Sequence, residues 1–190
     1  TGTINEYTKA QLRTNFPNTI ARISQPNVSD ENKTLFVWSA GNTGQYADQG
    51  ADYSSPDVFR GMAYLLTELQ GHSLAVVAVD SETGVISDFS SRCGIAKDFC
   101  IAAPGEGIVV AYATSADDMG IFDDTDNCVL DNTCYAVGGG TSYAAPFVSG
   151  GLALLAQHFG NQLGNTEILQ RVLMTADKTG IYADESIYGQ

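Results

Sequence analysis

The chain has 190 residues, with 22 acidic against 9 basic side chains, a net charge of −13, 44% hydrophobic residues and 16% charged residues. This composition is typical of one globular domain, or of a large piece of one, and it argues against disorder. The negative charge repels phosphate backbones and anionic membranes, so we expect no nucleic-acid partner. The apolar runs are too short to span a bilayer, and residues 1–30 lack a basic start followed by an apolar stretch, so neither membrane insertion nor a signal peptide is expected in this segment.

The first half of the chain alternates between helix-like and strand-like segments. Residues 7–16 have a weak helical pattern, and residues 24–34 predict a polar surface loop. Residues 34–40, TLFVWSA, are an unbroken apolar run of the kind found in parallel strands that are buried on both faces. After a polar loop, residues 58–70 have the spacing of an amphipathic helix, and residues 74–80 predict a second buried strand.

Next in the chain come short strands and an acidic segment. Residues 86–91 form a short turn-flanked segment, and residues 100–113 predict two strand pieces broken by Pro104 and Gly105. Residues 114–134 are rich in aspartate and predict a surface insertion. The carboxylates in this insertion do not have the spacing of a recognised calcium loop, so we expect a solvated acidic loop there and no metal site.

Two helices are predicted towards the carboxyl end. Residues 142–159 are apolar nearly all round, so this helix must be surrounded by protein, with Pro146 tolerated in its opening turns. Residues 165–176 predict a half-buried helix behind a capping Asn165 or Thr166. Its apolar face consists of Ile168, Leu169, Val172 and Leu173. Strands that alternate with helices indicate an α/β fold with a mostly parallel sheet.

The four cysteines lie as two close pairs, Cys93 with Cys100 and Cys128 with Cys134. Neither pair has the spacing of a zinc site, and no histidine lies near enough in sequence to complete one. We interpret them as two short-range disulfides, which implies an oxidising compartment. Four reduced cysteines in a cytosolic protein are the alternative, and three pairings remain formally open.

The segment GGGTSYAAPFVSGG, residues 138–151, places a serine at the start of the long predicted helix. Backbone N–H groups at a helix N-terminus point outward and favour negative charge. An oxyanion formed beside Ser142 would therefore find a donor in the backbone N–H of that serine. The preceding glycines let the backbone approach a substrate closely. The structural alternative is that Thr141 or Ser142 is only a helix cap after a flexible loop.

Over its full length this segment resembles the serine segment of the subtilisin-like serine peptidases, which reads G-T-S, any residue, A, any residue, P, and then a helix of small residues. The matching positions are Gly140, Thr141, Ser142, Ala144 and Pro146. The resemblance implies that Ser142 is a nucleophile that forms an acyl-enzyme during peptide hydrolysis.

A second family segment lies about a hundred residues upstream. WSAGN, residues 38–42, resembles the strand end that carries the oxyanion-hole asparagine, which here is Asn42. Taken alone, Asn42 is equally explained as a turn residue after a strand. The strings LAVVAVD, DFSS and IAAPG support the match more weakly, and the similarity spans residues 34–176.

The resemblance also implies a fold, a binding surface and a location. The expected fold is α/β and subtilisin-like, a mostly parallel sheet with helices on both faces, present only in part. Substrate-binding residues are expected at Trp38, Ser39, Ala40, Gly41 and Thr141. No cofactor is expected, although calcium is common in the family and a structural calcium in the parent protein is compatible with it. The strings GIYADESIYG and FVSGGLALL look closest to passenger domains of Gram-negative autotransporters, which implies a secreted or cell-surface protein with protein or peptide substrates.

The sequence lacks the segments that supply the base and the acid of the catalytic triad in this family. The family carries them in segments of the types D-[ST]-G and H-G-T-H, and neither occurs in residues 1–190. His158 is expected at the far end of the serine helix, about 24 Å from Ser142. We expect His72 at the strand ends opposite Asn42, and we interpret Asp80 as a structural turn residue.

We therefore read residues 1–190 as the C-terminal part of a peptidase domain that lacks its aspartate and histidine segments. Such a piece is expected to be inactive alone, and to self-associate or be held by the missing N-terminal part, because apolar surface and a sheet edge lose their partners. Two alternatives stay open: a non-catalytic relative that keeps the fold for binding or assembly, and a nucleotide binder that uses GGGTS as a phosphate loop. The second is weak because the P-loop lysine is absent.

Overall fold

A computed structural model of the chain describes residues 2–111, 135–160 and 162–190. Within this part, a parallel sheet has the order β1–β2–β3. Its strands are β1 (Phe36–Ser39), β2 (Ser73–Asp80) and β3 (Cys100–Glu106). An antiparallel ribbon pairs β4 (Ile108–Ala111) with β5 (Tyr135–Gly138).

Helices and short 3₁₀ turns connect and cover the strands. The α-helices are α1 (Lys9–Asn15), α2 (Pro17–Ile23), α3 (Met62–Leu65), α4 (Thr141–Phe159), α5 (Asn165–Thr175) and α6 (Glu185–Tyr188). The 3₁₀ turns are Ile4–Glu6, Asp30–Asn32, Thr43–Gln49, Thr67–Leu69, Gly94–Phe99 and Gly180–Ala183. Helix α1 confirms the weak helical pattern and begins with a capping box between Thr8 and Gln11. Helix α2, which starts at Pro17, was not predicted.

The central strand β2 is buried on both faces, as its apolar run predicts. Successive side chains of a strand point to opposite faces. One face packs against α4 and α5 through Leu74, Val76, Ala78, Ala144, Leu152, Ile168 and Leu169. The other face meets a smaller cluster of Ala40, Ala75, Val77, Cys93 and Cys100. The layered, subtilisin-like α/β fold expected from the sequence is present.

The strand β1 is less buried than predicted. Its four residues are all half-buried, and among the described residues only β2 pairs with it. The helix α4 likewise packs on the sheet along one side only. On its other side the apolar side chains of Phe147 and Leu154 are 52% and 68% exposed. In the part of the chain that the structure describes, protein therefore covers only one side of this helix, and its exposed side agrees with the expectation that a piece of the domain leaves apolar surface without a partner.

The prediction of an amphipathic helix over residues 58–70 is also wrong. Only α3 is α-helical there, because Leu66 has an extended backbone and a 3₁₀ turn follows it. The apolar spacing instead reflects burial of Met62, Ala63, Leu66 and Leu69 in a cluster with the N-terminal segments. A regular apolar pattern can thus be produced by packing without a continuous helix.

The predicted break at Pro104 and Gly105 is wrong as well, because β3 runs through both residues and the chain turns at Gly107. Proline lacks a backbone donor, and it is tolerated on edge strands and beside irregularities of the ladder. Among the described residues β3 pairs only with β2, and the register between them shifts after Val79.

Helix α5 confirms the second predicted helix, with Ile168 and Leu169 buried on its apolar face. Its cap differs from the prediction. The residue at the cap position is Gly164, and the Asn165 side chain instead donates to the carbonyl of Lys33, 3.0 Å away. This hydrogen bond ties α5 to the segment that precedes β1.

The first predicted disulfide is present between Cys93 and Cys100, both of them buried. It closes the 3₁₀ turn that leads into β3, and the C-terminal segment packs on it. The backbone N–H of Gln190 donates to the carbonyl of Cys100, and that of Cys93 donates to Ile187. The Cys128 and Cys134 pair and the acidic insertion at residues 114–134 lie outside the described residues.

Candidate active site

The predicted nucleophile and the predicted oxyanion residue come from two different elements. Asn42 follows β1 at its carboxyl end, and Ser142 is the second residue of α4, where its side chain is exposed. The ribbon strand β5 leads through Gly139 and Gly140 into the start of α4. Because α4 packs on the sheet, its N-terminus reaches the edge at which β1 ends.

Two hydrogen bonds hold Asn42 to the start of α4. The Asn42 side-chain oxygen Oδ1 accepts from the backbone N–H of Thr141 at 2.9 Å and from the Thr141 hydroxyl at 2.8 Å. A backbone N–H can only donate, so the amide atom that faces it must be the oxygen. The Nδ2 group of Asn42, with two N–H donors, therefore points away from Thr141.

The Asn42 nitrogen and the Ser142 hydroxyl border the same small space. A methyl group built on Gly140 would lie 3.2 Å from Ser142 Oγ and 3.3 Å from Asn42 Nδ2. Gly140 has a φ of +153°, which side-chain-bearing residues rarely adopt. The glycine thus leaves open the place where an alanine side chain would stand between the two groups.

A further donor at this place is the backbone N–H of Ser142. At the start of α4, the N–H of Thr141 donates to Asn42 and that of Tyr143 donates to the carbonyl of Gly140. In the described part of the chain no group accepts from the N–H of Ser142. A helix start of this kind can hold a developing negative charge with the Ser142 N–H and the Asn42 Nδ2 group together.

The residues predicted to bind substrate lie around the turn at Gly41 and Asn42, but they differ in burial. Trp38 and Ser39 are half-buried in β1, and the Trp38 indole donates to the hydroxyl of Ser73 at 3.0 Å. Ala40 and Thr141 are fully buried. The Thr141 hydroxyl accepts from the backbone N–H of Gly41 at 3.2 Å and donates to the side chain of Asn42. This buried hydroxyl therefore stabilises the turn at Gly41 and Asn42.

Neither histidine of the chain lies where it could activate Ser142. His158 is exposed near the end of α4, about 24 Å along the helix from Ser142. His72 precedes β2, at the opposite end of the parallel strands from Asn42. Asp80 accepts from the hydroxyl of Thr83 and from the backbone N–H groups of Thr83 and Glu82, and these bonds lower the pKa of its carboxyl, as suits a turn residue.

His72 is a structural residue whose burial makes stability depend on pH. Its ring is fully buried, and Nε2 lies 3.0 Å from the carbonyl of Ile23. Burial lowers the pKa of His72 from its ordinary value of 6.5, with the positive charge of Lys33 acting in the same direction and Asp30 against it. The unfolded chain therefore binds a proton more readily than the folded chain.

We expect the thermal stability of the chain to be intact above about pH 6.5 and to fall as the pH drops below that value. In the His72→Gln variant, the loss of thermal stability that protonation of His72 causes at acid pH should be absent. This holds whatever the stability of the variant at neutral pH. Melting temperatures between pH 7.5 and pH 5 measure the effect, and His158→Gln, on the exposed histidine, serves as the control. An unchanged pH slope in His72→Gln would contradict the assignment.

The described residues contain no group of three or more His, Cys, Asp or Glu side chains arranged to hold a metal ion. Within the same ranges, no helix combines the length and the apolar character needed to cross a membrane.

The comparison with protein families decides the family. The model of the subtilase family, peptidase family S8, matches residues 4–190. The chain belongs to the subtilase family. Among curated relatives, serotype-specific antigen 1 of Mannheimia haemolytica is 30% identical over 156 residues, and an extracellular serine protease of Serratia marcescens is 26% identical over 166 residues. Each alignment covers 82% of this subtilase chain but spans only 14% of the relative.

Solved structures agree on the fold of this subtilase. The self-cleaved protease domain of PatA has a TM-score of 0.58 at 24% identity, with 90% of this chain and 49% of that domain covered. The patellamide maturation protease PatG has a TM-score of 0.55 at 23% identity, with 85% of this chain and 42% of that chain covered. These similarities show the fold alone.

One part of the site is not indicated by the sequence. Asp57 and Arg60 form an ion pair directly beside the Gly41–Asn42 turn, and the carboxylate of Asp57 also accepts from the Thr43 hydroxyl at 3.1 Å. The spacing D-x-x-R is too common in sequences to be a signal. Only the fold of the loop after β1 brings this pair back to the turn.

Proposed function

We propose that this subtilase chain is the nucleophile-bearing part of a serine endopeptidase. The observation that carries the proposal is that Ser142 Oγ and Asn42 Nδ2 lie at 3.2 and 3.3 Å from one point, the place that Gly140 leaves open. A nucleophile and a neutral hydrogen-bond donor that border one small space suit the attack on a carbonyl and the charge that the attack produces.

In this mechanism the Ser142 oxygen forms a bond to the carbonyl carbon of a peptide, and its proton passes to a general base. The carbonyl oxygen becomes an oxyanion, which accepts from Asn42 Nδ2 and from the backbone N–H of Ser142. Collapse of this intermediate breaks the peptide C–N bond, and the base returns the proton to the leaving amine. Water then hydrolyses the ester on Ser142 by the same steps.

The base and the acid that orients it are proposed to come from outside this chain. Both histidines present, His72 and His158, are excluded by burial or by distance. The half-buried strand β1 and the exposed face of α4 with Phe147 and Leu154 are surfaces that another part of the domain would cover. We propose the N-terminal part of the same domain as that partner, and self-association of the chain when this part is absent.

Substrates are proposed to be proteins or peptides, and the location to be secreted or on the cell surface. The buried disulfide between Cys93 and Cys100 supports an oxidising compartment. The relative from Serratia marcescens is named an extracellular protease. We propose no cofactor for the reaction, since the nucleophile and the oxyanion donors need none.

Labelling with a fluorophosphonate tests the proposal, because this reagent bonds to a serine that a base has activated. We expect the full-length parent protein to be labelled at Ser142, and the isolated 190-residue chain to be neither labelled nor able to cleave protein. Mass spectrometry of the digested protein locates the label.

Two outcomes would contradict this proposal. A parent protein that folds and is not labelled at Ser142 would favour a non-catalytic relative that keeps the fold for binding. Cleavage by the isolated chain that is lost on Ser142→Ala would show that base and acid lie within residues 1–190. Light scattering on the same preparation tests the proposed partner surface, and a stable monomer at high concentration would count against it.

A further inference from the structure

The turn that carries Asn42 is held by its neighbours on several sides. The backbone N–H of Gly41 donates to the Thr141 hydroxyl, and the carbonyl of Gly41 accepts from the backbone N–H of Ser91 at 2.8 Å. One residue earlier, the carbonyl of Ala40 accepts from the backbone N–H of Asp57 at 2.9 Å. The loop after β1 thus returns to the turn at Asp57.

The side chain of Asp57 lies against this turn. A methyl group built on Gly41 would be 2.5 Å from Asp57 Oδ1, so the carboxylate occupies the side of the turn that a larger residue at position 41 would need. Gly41 has a φ of +124°, which also requires glycine. On the other side of Asn42, the Thr43 hydroxyl donates to the same oxygen at 3.1 Å. Asp57 therefore contacts the residue before Asn42 and the residue after it.

The second oxygen of Asp57 is paired with Arg60. The side chains of Asp57 and Arg60 are 14% and 35% exposed, so the carboxylate is largely shielded from water. Partial burial lowers the pKa of Arg60, but a guanidinium keeps its charge in proteins. The pair leaves little net negative charge next to the place where an oxyanion would form, and a bare carboxylate there would oppose it.

From this geometry we infer that Asp57, held by Arg60, is a positioning residue that fixes the Gly41–Asn42–Thr43 turn, so that the Asn42 Nδ2 group stays aimed at the oxyanion. The inference rests on the proposed function. Asp57 does not touch the substrate, and it acts through Asn42. Thr141 fixes the amide oxygen of Asn42 from one side, and Asp57 fixes the backbone on both sides of that residue.

A double-mutant cycle between Asp57 and Asn42 in the full-length protein tests the inference. We expect Asp57→Ala to lower kcat for peptide cleavage about tenfold, with KM unchanged within about twofold, because a misplaced donor weakens binding of the transition state more than binding of the substrate. In the Asn42→Ala background the same substitution should lower kcat less than about twofold.

The control is Asp52→Ala, on a carboxylate of the same loop that accepts from Thr3, Asn5 and Ser54 and does not touch the turn. It should leave kcat unchanged. Asp57→Asn keeps the volume of the side chain and is measured in the same double-mutant cycle. If Asp57→Ala does not fold, the cycle with Asp57→Asn still tests the inference.

Equal losses in kcat with and without Asn42 would overturn the inference, since Asp57 would then act independently of that amide. An unchanged kcat in both Asp57 variants would overturn it too. If Asn42→Ala itself has no effect on kcat, the oxyanion role in the proposed function fails, and the inference fails with it. The first two outcomes leave the proposed function intact.

Discussion

Replacing Ser142 with alanine in the full-length protein is expected to lower kcat for peptide cleavage by about 10⁶-fold, the loss seen in subtilisin when its nucleophile is removed. Ser142 is exposed at the start of α4, and its hydroxyl borders the same place at Gly140 as Asn42 Nδ2. Only the weak catalysis by binding and by the oxyanion donors should remain. Cleavage of a peptide with a fluorescent reporter measures the loss.

The matched control is Ser149→Ala on the same helix. Ser149 is also exposed, and its hydroxyl donates to the carbonyl of Ala145 one turn earlier, so it serves only the helix. This variant should keep full activity. A Ser142→Ala protein that still cleaves at a substantial fraction of the unmodified rate would remove Ser142 from the reaction.

The second large effect is expected at Asn42. Asn42→Ala should lower kcat by about 10²–10³-fold with little change in KM, because the Nδ2 group acts on the oxyanion that forms only after attack. Steady-state kinetics of the full-length variant separate kcat from KM.

Asn42 also holds Thr141, and a second variant separates the two roles. Asn42→Asp keeps an oxygen that accepts from the N–H and hydroxyl of Thr141, but it replaces the Nδ2 donor with a negatively charged oxygen. We expect Asn42→Asp to be at least as impaired as Asn42→Ala. Activity close to normal in Asn42→Asp would show that Asn42 serves only to hold α4 in place.

The elements that carry Ser142 and Asn42 could be predicted because their signals are local. The apolar run of β1 ends at a glycine followed by Asn42, and the string of glycines before Ser142 marks the start of α4. That these two residues lie near each other was implied only by the resemblance to the subtilisin-like peptidases. The position of His72 at the opposite strand ends followed from its place between a helix and the start of β2.

Features set by long-range packing could not be predicted. The break of the helical pattern at Leu66 depends on burial against the N-terminal segments, which a local pattern does not contain. Asp57 reaches the turn at Asn42 only because the intervening loop folds back, and nothing in its own sequence context indicates that.

The structure of the full-length protein after reaction with a phosphonate tests the central claim most directly, since the phosphoryl group on the serine imitates the tetrahedral intermediate. We expect a bond from phosphorus to Ser142 Oγ. We also expect one phosphoryl oxygen at about 2.7–3.1 Å from both Asn42 Nδ2 and the backbone nitrogen of Ser142. A phosphoryl oxygen directed away from Asn42, or a phosphonate bonded to another residue, would contradict the proposed roles of these two residues.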